Sequence, residues 1–280
     1  MSPCIAVIGA GAMGSALAAR LTGCGARVLT SLTGRSPASR ARARDAGMAD
    51  APLDAIAGAD LILSIVPPAA AGSVALELAP SLAESARKAV FVDCNAINPE
   101  SKRGLQSLVS AAGCSMLDAC IIGAPPGSEE ADPRLFISGQ GACDALILRD
   151  LGLDVRVLEG PVGAAAALKM CYAGINKGLT ALTAAMLLAA ERAGAAQALH
   201  EEMADSLPYL LARSRRSIPA MYPKAGRWVA EMREIAGFLE DDEAAAMMFE
   251  GAARFFEQRA ADFAGDRGEL GRLQRIRVQP

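Results

Sequence analysis

Two stretches of this 280-residue chain carry residue types that packing alone does not call for. The first, Gly9-Ala10-Gly11-Ala12-Met13-Gly14, fits G-x-G-x-x-G and lies between an apolar run at residues 4–8 and a helical pattern of Met13, Leu17 and Leu21. In that setting Gly9 makes a tight turn, Gly11 admits a pyrophosphate to a helix N-terminus, and Gly14 lets helix and strand pack closely. All six residues are expected to cradle a dinucleotide. The second stretch is an Ala-rich helical segment with Lys169, Asn176 and Lys177. At about 100° per residue, Asn176 lies roughly 20° and Lys177 roughly 80° from Lys169 around the helix. Two amines and an amide on one flank of an apolar helix point to a cleft that binds an anion and moves a proton.

The dinucleotide can be specified further. An acidic residue at the end of the second strand would bond a ribose 2′-hydroxyl and select NAD. None stands there; Thr30-Ser31-Leu32-Thr33-Gly34-Arg35-Ser36 offers hydroxyls and a guanidinium instead. Those groups suit a 2′-phosphate through charge-assisted hydrogen bonds. The expectation is NADP in preference to NAD, with Arg35 the main anchor and Ser36 and Arg40 secondary. The alternative is that Arg35, Arg40, Arg42 and Arg44 form a solvated helix face.

Periodicity supplies the elements that must hold these groups. Strands are expected at residues 4–8, 27–32, 60–66, 89–93, 116–122, 135–138 and 155–158. Helices are expected after the Gly9 turn and at residues 37–46, 69–78, 100–110 and 143–148. Parallel strands need crossover connections, so this alternation implies an α/β Rossmann domain with a doubly wound, mostly parallel sheet. From residue 162 every periodic segment is helical, beginning with a long helix over 162–193. The expected division is therefore a dinucleotide-binding domain at 1–160 and an all-α domain at 161–280 for substrate binding and dimerisation. The tail after Gly271 is expected to be exposed.

Composition narrows the function classes. The net charge of −3 gives no attraction to nucleic acid or anionic lipid. Seven cysteines, scattered and odd in number, suggest reduced thiols, mostly buried as small hydrophobes, and a cytoplasmic setting. His200 is the one imidazole and is expected to be a surface or packing residue, so no metal site is expected. The longest uncharged run, near residues 178–190, falls short of the roughly 20 residues needed to cross a bilayer. No secretory signal is expected at the N-terminus.

The order of these motifs resembles the β-hydroxyacid dehydrogenase family, which includes 3-hydroxyisobutyrate and 6-phosphogluconate dehydrogenases. Ile8 to Gly14 is similar to its cofactor loop, and Ser64-Ile65-Val66-Pro67-Pro68 to its turn near the nicotinamide ribose, which implies that Val66 and Pro67 touch cofactor. Asp93-Cys94-Asn95-Ala96-Ile97-Asn98-Pro99 resembles the D-x-S-T-x-x-P segment, placing Asn95 at the substrate-binding Ser and beside the cofactor. Asp118-Ala119-Cys120-Ile121-Ile122-Gly123-Ala124 resembles D-A-P-V-S-G-G, which implies that the Gly123 backbone N–H meets a substrate carboxylate. Gly163 to Lys169 resembles G-x-G-x-x-x-K, which makes Lys169 the general acid/base.

The chain departs from the pattern at three kinds of position. Ala165 replaces the second Gly, and Ala173 replaces the Asn that follows the Lys. Asn176 and Lys177 stand where 6-phosphogluconate dehydrogenases have Glu and Tyr, which disfavours decarboxylation by that route. Tyr172 to Gly178 and Arg227 to Met232 resemble a bacterial subgroup whose C-terminal domain is of unknown function. The Arg227 and Glu231 pair can be explained as an exposed i, i+4 contact, and Tyr222 and Trp228 as core residues.

The resemblance implies hydride transfer between nicotinamide and a small β-hydroxy acid or related carbonyl compound. Asn95, Gly123, Asn176 and Lys177 are the substrate-binding candidates, and the Lys177 cation is expected to lower the Lys169 pKa. An imine or ketone reductase on the same scaffold is the second reading, and a non-catalytic NADP-binding sensor the third. The partners expected are a small anionic substrate and a second copy in a homodimer, with neither nucleic acid nor membrane.

Overall fold

The computed structural model describes residues 2–127 and 132–278. It divides into two compact units, Met1–Lys169 and Met170–Pro280. The expected boundary near residue 160 falls in the turn just after the last strand, whereas the units part inside a helix.

The first unit is built on eight strands: β1 (Cys4–Ile8), β2 (Arg27–Thr30), β3 (Ala49–Asp50), β4 (Leu61–Ser64), β5 (Val90–Asp93), β6 (Met116–Ile122), β7 (Arg134–Ser138) and β8 (Asp154–Val157). Their spatial order is β3-β2-β1-β4-β5-β6-β7-β8. Every described pairing is parallel except β6 with β7. The sheet is therefore mostly parallel and doubly wound, as the alternation predicts. Both faces are buried: Ile5 and Val7 of β1 enter one hydrophobic cluster, Ala6 and Ile8 the other. The period-2 alternation of side chains feeds both layers, which is why these strands are apolar throughout.

The helices of this unit are α1 (Ala12–Gly23), α2 (Pro37–Asp45), α3 (Leu53–Ala57), α4 (Ala71–Glu84), α5 (Pro99–Ala111) and α6 (Ile147–Asp150). Four differences from the sequence expectation have physical reasons. β3 and α3 were not expected, because two and five residues are too few to show a period. The second strand ends at Thr30 rather than 32, since the Leu32 N–H turns to the Asp50 carboxylate at 2.9 Å. The segment expected as helix from 69 opens as a 3₁₀ turn over Pro68–Ala70 and then runs on past Pro80 to Glu84. The expected helix at 143–148 is a 3₁₀ turn over Ala142–Leu146 followed by α6.

α7 (Ala164–Arg192) has 29 residues, two shorter at its start and one at its end than the periodicity indicates. By length and composition the whole helix is long enough and apolar enough to cross a membrane, although its uncharged run alone is not, and 44% of its most apolar window is buried. The second unit continues with α8 (Ala196–Ser206), α9 (Pro208–Met221), α10 (Ala225–Phe238), α11 (Glu243–Ala264) and α12 (Gly268–Val278). Its core gathers Met170, Ala173, Ala184, Leu188, Tyr222, Ile235 and Phe256. Tyr222 is a core residue, and Trp228 packs edge-on against Phe256 with ring centroids 5.2 Å apart. Of the tail expected to be exposed, Leu273 is buried in α12, which the Asp262 carboxylate caps on the Glu269 and Leu270 N–H groups at 3.0 Å each, while the side chains from 275 onward lie outside the described residues.

Cysteine burial is less uniform than expected. Cys94, Cys114 and Cys120 are buried and Cys4 half-buried, but Cys24, Cys143 and Cys171 are exposed.

Candidate active site

The chain proceeds from β1 to one side of the sheet through β2 and β3, then crosses to β4 on the other side. Such a reversal opens a crevice at the carboxyl ends of the strands, where open α/β sheets take their ligands. The glycine loop lies there, and its three glycines answer to three different constraints. A Cβ on Gly9, whose φ is +113°, would sit 2.2 Å from the Ile65 carbonyl oxygen. One on Gly14 would sit 2.0 Å from the Gly9 oxygen, while one on Gly11 would meet nothing within 4 Å. Gly9 and Gly14 are thus required by the fold, and Gly11 keeps space clear for something other than protein. Gly11 is also the N-cap of α1, with no side-chain cap and no acid in the first turn, so the first amides there are left for an anion. A pyrophosphate fits this cradle.

Around the end of β2 the arginines separate. Arg35 and Ser36 are exposed, and the Ser36 hydroxyl caps α2, accepting from the Ser39 N–H at 3.3 Å. Arg40 folds back to donate to the Arg35 carbonyl at 3.2 Å. Arg42, outside the expected anchors, donates Nε to the Ala10 carbonyl of the glycine loop at 2.9 Å and Nη2 to Ser39 Oγ at 3.1 Å. The cluster is therefore more than a solvated face: one member braces the cofactor loop.

Across the sheet a polar row runs through the strand ends. Ser64, Asp93, Asp118 and Ser138 are register partners on β4, β5, β6 and β7, and none has any exposure. Asn95, just beyond β5, joins the row from above. Its Nδ2 donates to Asp93 Oδ2 at 2.6 Å and Ser64 Oγ at 2.9 Å, and its Oδ1 accepts from the Val66 N–H at 2.7 Å. Asn95 was expected to bind substrate as the corresponding family Ser does. Both of its side-chain N–H groups are already spent and the residue is buried, so it fixes the Val66-Pro67 turn instead and has no N–H left for a substrate anion.

Below this turn sits Lys102 of α5, with no exposed surface. Its ammonium donates to Asp93 Oδ1 at 2.5 Å, to the Asp93 carbonyl at 2.7 Å and to the Ala119 carbonyl at 3.3 Å. It also lies 3.0 Å from Asp118 Oδ1 as an ion pair off the hydrogen-bond axis. Burial alone would pull the Lys102 pKa down, but the Asp93 and Asp118 carboxylates outweigh it and push it above the usual lysine value. Asp118 Oδ2 accepts from the Gly163 N–H at 3.0 Å and the Ala166 N–H at 2.9 Å, and Ser138 Oγ accepts from the Ala165 N–H at 3.0 Å. The orphan amides at the start of α7 are thus satisfied from the sheet. One turn on, Lys169 is half-buried and donates to the Ile121 carbonyl near the end of β6 at 2.6 Å.

Two thiols line the same strand ends. Burial raises the Cys94 pKa well above the usual thiol range and pushes that of Cys120 up to about 11, with the Lys169 cation opposing it at Cys120. Both are therefore neutral at physiological pH. Gly123, with φ +130°, could not carry a side chain, since a Cβ would lie 2.9 Å from Pro133 Cα.

The remaining candidates belong to the helical unit. Asn176 donates to the Tyr172 carbonyl at 2.8 Å and accepts at Oδ1 from Arg213 at 2.6 Å. Lys177 is ion-paired with Glu231 and stands 5.6 Å over the Trp228 ring. Lys177, expected to act as a cation on Lys169, thus has a carboxylate partner of its own in the helical unit. Glu231 is accordingly more than the exposed partner of Arg227, which lies 3.7 Å away. His200 is buried and 3.1 Å from Arg215, a packing residue. Sequence reasoning missed Lys102, Ser138, Arg42 and Arg213; only Arg42 had a signal, its place in the basic cluster.

Residues 4–146 match the model of the NAD binding domain of 6-phosphogluconate dehydrogenase. The chain belongs to the β-hydroxyacid dehydrogenase family. Residues 190–258 match a domain of unknown function, DUF1932. A 3-hydroxyisobutyrate dehydrogenase of Pseudomonas aeruginosa is 29% identical over 172 residues, which are 60% of this chain and 57% of that enzyme's length. A conserved hypothetical protein from Sinorhizobium meliloti 1021 superposes with a TM-score of 0.79 at 28% identity, over 99% of this chain and 97% of that one. An imine reductase from Myxococcus stipitatus in complex with NAD+ shares the fold, with a TM-score of 0.59 at 18% identity and 99% coverage of both chains. The family's nicotinamide dinucleotide suits the Gly11 cradle on geometric grounds as well.

Proposed function

We propose that this chain is an NADP-preferring oxidoreductase that moves a hydride between nicotinamide and a small β-hydroxy acid or related carbonyl compound, with Lys169 as general acid/base. The observation that carries the reading is the Lys169 amine at the end of β6, in the same unit and at the same strand ends as the Gly11 cradle and the Val66-Pro67 turn. The bound nicotinamide would supply or accept the hydride. Lys169 would give a proton to the carbonyl oxygen during reduction, or take it from the hydroxyl during oxidation. Arg35 would hold the 2′-phosphate, with Ser36 and Arg40 beside it, and Val66 and Pro67 would line the ribose. Gly123, Asn176 and Lys177 remain the proposed substrate contacts. A panel of small hydroxy acids, aldehydes and ketones, assayed with NADPH and NADH, tests the reading; equal use of both cofactors would end the NADP preference.

One observation favours the second reading, reduction of an imine or ketone. Asn95 has no N–H to offer, and Ala173, where the family has Asn, is buried among apolar side chains. Two polar partners of a carboxylate are missing, so a substrate without a carboxylate loses less here. Cyclic imines belong in the same panel. Binding of NADPH without turnover of any class would support a sensor.

The proposed dimer rests on the helical unit. Ile175, Leu182 and Met186 of α7 and Met247 and Met248 of α11 are exposed, around an apolar cavity of about 610 Å³ lined by Gly174, Gly178, Phe249 and Phe255. Burying such a face against a second copy removes apolar area from water. Light scattering that returns a monomer at micromolar concentration would rule this out.

A further inference from the structure

We propose that Lys102 and Asp118 are positioning residues for Lys169, setting where its amine stands without touching substrate or cofactor. The inference rests on the reading of Lys169 as the proton-transfer group.

A fully buried ammonium is costly, and replacing a buried ion pair by apolar side chains of similar volume is often neutral or stabilising. A lysine kept at such a place is explained by what its partners hold. Lys102 satisfies Asp93 and Asp118, register neighbours on β5 and β6. Asp93 Oδ2 holds Asn95, which holds Val66. Asp118 Oδ2 holds the Gly163 and Ala166 amides, and its neighbour Ser138 holds Ala165.

These last three bonds fix both the rotation and the axial height of the first turn of α7. Ala166 and Lys169 are three residues apart and lie on one face of the helix. Once Ala166 is tied to Asp118, the Lys169 side chain leaves the helix on the side of β6, and its amine meets the Ile121 carbonyl. β6 therefore holds the helix at two points, by a carboxylate at its start and by a carbonyl at the amine. The Gly163 turn is built to the same end. Its φ is +107°, and a Cβ there would press on Pro99 at 3.2 Å, the first residue of the helix that carries Lys102.

The role of the Lys102 charge follows. Two carboxylates face one ammonium, so removing the ammonium leaves two buried negative charges side by side, and one must take a proton. Either outcome, repulsion between the carboxylates or a proton taken up by Asp118, weakens Oδ2 as the acceptor that holds the Gly163 and Ala166 amides. The first turn of α7 would then loosen, and Lys169 with it, although neither residue had been touched.

The test compares Ser138→Ala, Asp118→Asn and Lys102→Met with the wild-type protein, full length and NADPH-bound. Amide exchange is followed at Gly163 and Ala166, with Leu63 and Val92 of the central strands as controls. The accessibility of Lys169 is read by competitive acetylation and mass spectrometry. For Asp118→Asn and Lys102→Met, exchange at Gly163 and Ala166 should quicken by about 100-fold while the strand amides stay within a few-fold of wild type. Lys169 acetylation should change and kcat should fall in the same variants, and the NADPH Kd should hold in Asp118→Asn, which leaves the Asp93–Asn95–Val66 contacts in place. Ser138→Ala should show a weaker version of the same pattern. If Lys102→Met does not fold, the other two variants decide. Unchanged exchange and unchanged Lys169 labelling in Asp118→Asn would overturn the proposal. Turnover surviving in Lys169→Ala would instead sink the catalytic reading and leave the exchange result standing.

Discussion

The sheet unit and the helical unit each pair lysine with carboxylate, but under opposite conditions. Lys102, Asp93 and Asp118 have no side-chain exposure, whereas Lys177 and Glu231 keep 16% and 33% of theirs. In the first case desolvation has to be offset group by group, and the offset comes from carbonyls and amides of the strands and of the α7 start. In the second, water shares the task, and the pair leans on one aromatic ring. A fully buried charge is thus locked to backbone and locks the backbone in turn. A half-buried one is free to serve a ligand or do nothing.

The largest effect expected of this contrast is chemical. Lys169→Ala should lower kcat by about 10²–10⁴-fold, the usual contribution of a general acid or base, with NADPH binding intact by fluorescence titration. No helical-unit substitution at Lys177 or Asn176 should match it; one that did would reverse the comparison.

Next in size is stability. Lys102→Met should cost about 3–5 kcal/mol in urea denaturation, because two buried carboxylates lose their cation. Lys177→Met should cost about 1 kcal/mol or less, and added salt should weaken the loss further. Comparable costs for the two lysines would erase the distinction between the units.

Cofactor selectivity comes third. Arg35→Ala should reduce kcat/KM with NADPH by roughly 10-fold, the value of a charge-assisted hydrogen bond or two, and leave NADH use unchanged. Arg42→Ala should weaken both cofactors, because its guanidinium braces the Ala10 carbonyl, which they share.

The smallest effects concern thiols. Cys24, Cys143 and Cys171 should react readily with a disulfide reagent in the folded protein, and Cys94 and Cys120 should not. Burial holds the Cys120 pKa at about 11, above its value of 9.0 when exposed. The unfolded chain therefore loses this proton first. The contribution to stability is complete below pH 9.0 and is lost as pH rises towards 11. A Cys120→Ala variant should show a flatter decline over that window in thermal melts.

Much of the sheet unit could be read in advance. Apolar runs of strand length, broken by Gly and Pro, marked β1, β4, β5 and β6, because a strand buried on both faces has little choice but to be apolar. The reading failed where an element was too short to have a period, as at β3 and α3. It failed again where a proline invited a stop that the fold did not take, as at Pro80 in α4. At the site, the glycine loop was visible because its constraints are steric and local. Lys102 was invisible, since Lys102, Arg103 and Gln106 make α5 look like an ordinary surface helix. Asn95 was visible but given another use, because motif position says which residue stands at a place and not how many of its hydrogen bonds are already taken.

The order of amino acids by itself determined the turn that opens α1, the absence of an acid after β2, the alternation that makes a parallel sheet, and a lysine one turn into the first helix beyond it. These follow from sterics and from periods of two and 3.6 residues, which act over a few positions. Only the tertiary structure decided that Ser64, Asp93, Asp118 and Ser138 form one row, that Lys102 is their cation, and that Lys177 is matched by Glu231. Those facts depend on strand register and on which distant groups meet. A hydrogen bond or charge is fully specified only when every partner competing for it is in place.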